Sequence, residues 1–231
     1  MCRVSGVPVA SIDVVTDGVF FTAPGSLPRG RNALPREQVA AAQRERILIA
    51  ATELLAASGA AEVGPKEICL RAKVSLSSFY AMFPSRDACV FAAYDRFIEV
   101  LLGRLIAIDG AGLSWRAYMG AILATYLGAL EADPVVGRAF QVQMDAMGEP
   151  ARARRRAALS AIARLLHDKH VAWEPAAVGR LPFDAYLSGV YGIRQLAADL
   201  LEEGRVSDLP ALAEQATAWV SLMFGAGPDQ G

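Results

Sequence analysis

Two short helical patterns, residues 65–72 and 76–83, are separated by only Lys73, Val74 and Ser75. So tight a connection forces the second helix to cross the first steeply, which defines a helix-turn-helix. Ser75 stands where a side-chain oxygen caps the second helix. At about 100° per residue, Phe79 and Phe83 fall on the side facing Ile47 and Ile68, while Ser77, Tyr80 and Ala81 point outward.

Helical periodicity extends through most of the remainder. Pro35 suits the first position of a helix, because its fixed φ fits and its missing N–H has no helical partner there. Ile47, Ala51, Leu54, Leu55 and Ser58 follow at helical spacing until Gly59 stops the pattern. After Pro84 and Ser85, helical patterns cover 86–107, 115–132, 134–147, 150–171, 183–203 and 207–224, punctuated by Asp133-Pro134, Glu149-Pro150 and Gly204. No stretch reads convincingly as a strand, so the expected fold class is all-α: an N-terminal three-helix helix-turn-helix domain and a C-terminal helical domain. Residues 1–34 hold four glycines and three prolines without period and read as a loose tail. The expected organisation is a flexible tail over 1–34, a helix-turn-helix domain over 35–84 and a helical domain over 85–227.

A hydrophobic content of 54% in 231 residues is ample for a large core. Mean hydropathy is high at +0.30, yet charges interrupt every stretch before the roughly 18 apolar residues of a membrane span, so no membrane partner is expected. Asp13 and Asp17 fall where an export signal needs its apolar run, which points to the cytoplasm. Cys2, Cys69 and Cys89 lack CxxC spacing, so neither a disulfide framework nor a zinc site is indicated, and no cofactor is expected. The net charge of −1 conceals an asymmetry: residues 29–86 carry nine basic against five acidic groups, and the chain beyond 86 is net acidic. Positive charge gathered in one early segment suits a polyanion, whereas the rest would be repelled by phosphates.

The stretch GPKEICLRAKVSLSSFYAMFPSRDACVFAAYDRF, residues 64–97, resembles the DNA-binding motif of the TetR (tetracycline repressor) family in its order of capping Ser, Phe-Tyr, Phe and Ser-Arg-Asp. The resemblance implies that Lys66, Leu76 and Ser77 approach base edges and that Ser78, Tyr80 and Arg86 reach phosphates, with Ser75 at the cap. The chemistry agrees: Lys66 can donate to a guanine edge and Leu76 can touch a thymine methyl, whereas a Tyr hydroxyl and an Arg grip backbone without reading sequence. Leu76 lies between the two faces, so groove contact and core packing compete for it. Two positions depart from the family pattern. Lys73 replaces the usual turn glycine, implying a left-handed non-Gly residue at a cost on the order of 1 kcal/mol, and Gly64 replaces a common capping Thr.

In the C-terminal half, the bulky residues Trp115, Tyr118, Tyr126, Phe140, Met144, Met147, Phe183 and Tyr186 outnumber nearby charges. Such composition fits either plain core or the wall of a mainly apolar pocket. The pocket reading names Tyr118, Phe140, Gln141, Met144 and Tyr186 as ligand-binding residues for a small apolar effector, with Gln141 or Arg138 as polar anchor. Residues 183–203 and 207–224 carry apolar side chains on more than one face, among them Leu187, Val190, Tyr191, Leu201, Leu212, Trp219, Val220 and Met223, so a homodimer is expected through these helices. By the resemblance they form a four-helix bundle, and the dimer binds a palindromic double-stranded operator.

Other groups weigh less. Arg29, Arg31 and Arg36 read as linker charge before a minor-groove arm, Arg152, Arg154, Arg155 and Arg156 as an exposed helix face, and His167 with His170 as a poor metal pair. No nucleophile-base constellation or phosphate loop supports an enzyme. The leading expectation is a ligand-released repressor; the alternative is a dimeric helical interaction protein that has lost DNA binding.

Overall fold

A computed structural model describes residues 12–25, 35–175 and 179–223. The described residues form α1 (Arg36–Ser58), α2 (Pro65–Ala72), α3 (Leu76–Met82), α4 (Arg86–Ile106), α5 (Trp115–Ala132), α6 (Pro134–Gly137), α7 (Glu149–Trp173), α8 (Phe183–Glu202) and α9 (Leu209–Met223). No strand occurs among them, only an isolated bridge between Asp17 and Phe21. The fold is all-α, with an N-terminal helix-turn-helix domain and a C-terminal helical domain. No single described helix is long and apolar enough to cross a membrane.

Capping chemistry fixes the helix starts. Ser75, Ser85 and Ser114 each accept from the backbone N–H three residues on, at 3.0, 3.1 and 3.2 Å. Between α2 and α3, Lys73 takes the left-handed conformation at φ 55°, the one positive-φ non-glycine among the described residues. Val74 N–H returns 3.1 Å to the Cys69 carbonyl, so the strained turn closes the end of α2.

Ile47, Ile68, Phe79 and Phe83 are buried together under α1–α3, and the same apolar core runs on through α4 into the larger domain. There α5 packs on α9 and α7 on α8, while α1 reaches across to α4 and α6. Cys69 and Cys89 are buried free thiols, and burial pushes Cys89 up to about 12.

Two expectations need correction. Residues 12–25 are no loose tail but a strap laid over both domains. Phe20 and Phe21 are only 3% and 1% exposed, and Phe20 meets Phe97 at 5.1 Å between ring centroids. Backbone N–H groups of Val15, Thr16 and Thr22 donate to Glu53, Asp133 and Glu45, each at 3.1 Å. Two adjacent aromatics and three waiting carboxylates outweigh the disorder suggested by glycine and proline. Second, 134–147 is not one helix: after α6 the backbone widens into a π-helical turn (Arg138–Val142) and tightens into a 3-10 segment (Gln143–Met147). Arg194 supplies the reason, since it donates to the Gln141 carbonyl and so takes over an acceptor of the helical ladder. The arm residues Arg29 and Arg31, Cys2, and the expected domain end at 227 lie outside the described residues.

Candidate nucleic-acid interface and inner cavity

α3 turns the predicted surface outward. Phe79 is buried, whereas Leu76 is 38% and Tyr80 55% exposed, with Ser77 and Lys66 also at the surface. Leu76 thus leaves the core. The three serines form one knot: Ser75 Oγ lies 2.8 Å from Ser77 Oγ and 2.9 Å from Ser78 Oγ while it caps Ser78 N–H. Ser75 is therefore occupied by the helix start, while Ser77 is exposed and Ser78 half-buried.

Arg86 occupies a different setting from Tyr80. It is half-buried, donates to the Ala60 carbonyl at 2.6 Å and the Val63 carbonyl at 3.3 Å, and pairs with Asp87. It ties the start of α4 to the loop after α1, so its contacts within the fold compete with the phosphate contact that the resemblance implies. Arg71 is likewise committed, to Glu53 at 2.7 Å beneath the strap. Arg36 is exposed at the start of α1.

The C-terminal domain contains an apolar cavity between α4, α5, α7, α8, α9 and the π-helical turn. Phe140 and Gln141 line it, as two of the five predicted ligand residues. Tyr118, Met144 and Tyr186 are buried elsewhere. On α5 the cavity face is Met119, Ile122, Leu123 and Tyr126, and Tyr118 sits about 100° off it. Tyr118 instead meets Trp173 at 5.3 Å, and Tyr186 bonds His170 Nδ1 at 2.6 Å, with His170 stacked 4.5 Å from Trp115. His167 pairs with Asp168 instead of a shared centre.

Sequence reading missed the charged end of this cavity. Arg155 and Arg194 both line it, and no carboxylate among the described residues does. Arg194 is buried; its Nε donates to Gln141 Oε1 at 3.1 Å and one terminal nitrogen lies 3.5 Å from Asp145. Arg155 pairs with the same Asp145 carboxylate. Burial lowers the pKa of both arginines, and the Arg194 charge lowers that of Arg155 further. Beside them Tyr126 has a buried hydroxyl with no partner among the described residues, raised in pKa by burial, and burial lifts Tyr94 to about 12. One signal was available: Arg194 is the only cation in α8 and interrupts an apolar face. Arg155 was hidden in a run of arginines. Arg154 pairs with Asp95 and Arg152 and Arg156 with Glu149 on the expected exposed face, but Arg155 turns inward.

On the outer surface of α8 and α9, Leu196, Trp219 and Leu222 are exposed. Of the predicted dimer residues, Leu201 and Val220 are buried within the protomer, and Val190 and Val220 line the cavity.

Residues 47–93 match the sequence model of the bacterial regulatory proteins of the tetR family. No curated protein matches the chain. Solved structures share its fold. The fatty acid degradation regulator FadR from Bacillus halodurans aligns at a TM-score of 0.66 and 15% identity, over 79% of this chain and 95% of that one. FadR from Bacillus subtilis, in complex with stearoyl-CoA, aligns at 0.62 and 14%, over 79% and 98%. NalD, the secondary repressor of the MexAB-OprM multidrug efflux pump in Pseudomonas aeruginosa, aligns at 0.61 and 19%, over 83% and 100%.

Proposed function

We propose, for a chain that carries the tetR-family DNA-binding segment at residues 47–93 within the fold of that family's regulators, a cytoplasmic transcriptional repressor released from its operator by a small, mainly apolar ligand. The observation that carries this reading is the outward face of α3. A three-residue turn, a serine cap and two buried phenylalanines hold Leu76, Ser77 and Tyr80 toward solvent on a rigid base. Exposed Leu76 and Tyr80 have no packing reason to be there, and they suit a thymine methyl and a phosphate. Lys66 at the start of α2 adds a base-edge donor; Ser78 and Arg86 flank the backbone path, Arg86 mainly by positioning the start of α4.

The cavity supplies the control point. It is lined by apolar walls with few polar groups, the character of an effector site. A relative of this fold is a regulator bound to stearoyl-CoA, which supports that use. Phe140 and Gln141 are the contacts retained from the sequence reading; Tyr118, Met144 and Tyr186 act by supporting the walls. The exposed Leu196, Trp219 and Leu222 on α8 and α9 support a homodimer across these helices, and two recognition helices about 34 Å apart would meet a palindrome. A gel shift with the promoter beside its own gene tests the reading. A specific complex is expected; its absence at micromolar dimer would favour a dimeric interaction protein that has lost DNA binding.

A further inference from the structure

The cavity is long and its two ends differ. Its wall runs along α4 from Tyr94 to Leu105, eleven residues and therefore about 16 Å at 1.5 Å per residue. One end is wholly apolar, formed by Leu105, Met119, Leu166 and Val220. At the other stand Arg155, Arg194, Tyr94 and Tyr126. The charges there do not cancel, with Arg194 buried and Arg155 and Asp145 half-buried. Two guanidiniums share the single carboxylate of Asp145, while neighbouring Asp95 is already paired with Arg154 and Asp199 is exposed and held by Gln195. One positive charge is left over in an apolar surrounding, where an unmatched ion is costly.

We infer that the cavity takes a singly charged amphiphile, a long apolar chain ending in a carboxylate, with its head between Arg155 and Arg194 and its tail toward Leu105 and Leu166. A carboxylate neutralises the excess charge and matches the guanidinium fork; the Tyr126 hydroxyl gains an acceptor, and the chain fills the apolar length. A neutral apolar ligand would leave charge and hydroxyl unanswered, and a multiply charged one would overshoot.

The head group also has a route to the DNA-binding end. Arg194 now holds the Gln141 carbonyl and side chain, and both the π-helical turn and the 3-10 segment touch α1. The Gln143 side chain lies 3.1 Å from the position a Cβ would take on Gly59, where α1 ends. A carboxylate that draws Arg194 off Gln141 lets 138–147 rewind against α1. This consequence, unlike the ligand assignment, rests on the repressor reading above.

Calorimetric titration of the full chain with tetradecanoate and with 1-tetradecanol, both below micelle-forming concentration, tests the assignment. The acid should bind about tenfold to a hundredfold tighter than the alcohol, the range for a hydrogen bond to a charged group. Arg194→Met should abolish that preference, read as the ratio of acid to alcohol affinity within the variant, because loss of the Gln141 contact can alter both. If that variant does not fold, Arg155→Met and the wild-type preference decide. Equal affinity for acid and alcohol would overturn the inference, as would tight binding of tetradecanoyl-coenzyme A with no preference for the free acid. Operator binding released by a neutral apolar compound alone would also overturn it while the repressor reading stands. Acid preference in a chain that shifts no DNA would uphold it while that reading falls.

Discussion

Removing the aromatic ring of Phe20 tests whether the strap is part of the folded core. Phe20 is buried, its ring tilted against Phe97 at 5.1 Å between centroids, with the Arg104 guanidinium 5.4 Å from its centroid. Truncating a buried Phe to Ala costs about 3–5 kcal/mol through lost transfer energy and the cavity left behind, and the lost cation–π contact adds about 0.5–1 kcal/mol. For a chain of this size that is a melting-temperature drop of roughly 7 to 24 °C. The strap has an escape that a core helix lacks: it can leave as a unit, and the cost then saturates at its own docking free energy. Phe21→Ala separates the cases. If the strap stays docked, the two substitutions are nearly additive; if it leaves, the double variant costs no more than the worse single one. Urea unfolding of the three variants, with limited proteolysis between residues 12 and 25, gives the answer. A cost under about 1 kcal/mol for both single variants, with protease susceptibility unchanged, would refute the packing argument.

Tyr80→Ala should leave the melting temperature within about 1 °C and weaken binding to specific and random duplex alike, with the salt slope falling by about one, read by fluorescence anisotropy. Arg86→Ala, by contrast, should cost about 1–3 kcal/mol in urea unfolding, because the Ala60 and Val63 carbonyls lose their donor. Burial lifts the Asp133 carboxyl from 3.8 to about 6, against the pull of the Val136 and Thr16 N–H groups. The folded state therefore holds its proton more tightly than the unfolded chain. The stability advantage over Asp133→Ala should be greatest below about pH 4 and shrink as pH rises through 6, and an advantage that grows with pH in urea titrations would contradict this. Trp219→Glu with Leu222→Glu should convert a dimer to a monomer in sedimentation at micromolar concentration without loss of helicity, since both side chains face outward from α9.

The helix-turn-helix was legible in the sequence because its determinants are local. A three-residue turn, a serine one position before Leu76 and phenylalanines four residues apart specify both helices and the face each presents. The left-handed Lys73 was implied by the resemblance, since it stands where the family's turn carries glycine, and the structure has it there at φ 55°. The helical phase of α4, α5, α7, α8 and α9 was equally open to reading, because burial of one face imposes the 3.6-residue period on the composition.

What lay outside the sequence depended on partners distant along the chain. Phe20 and Phe21 become core only because α4 offers Phe97 and Arg104 some eighty residues later. The π-helical turn follows from an arginine on α8, 53 residues beyond the carbonyl it takes. Composition around 114–200 showed bulky apolar side chains but could not show that Arg155 and Arg194, on different helices, converge on one carboxylate. A helical wheel fixes which residues share a face, and the crossing of helices fixes which faces meet. Charge left uncompensated inside the cavity is a property of that meeting, and so only the tertiary structure decided it.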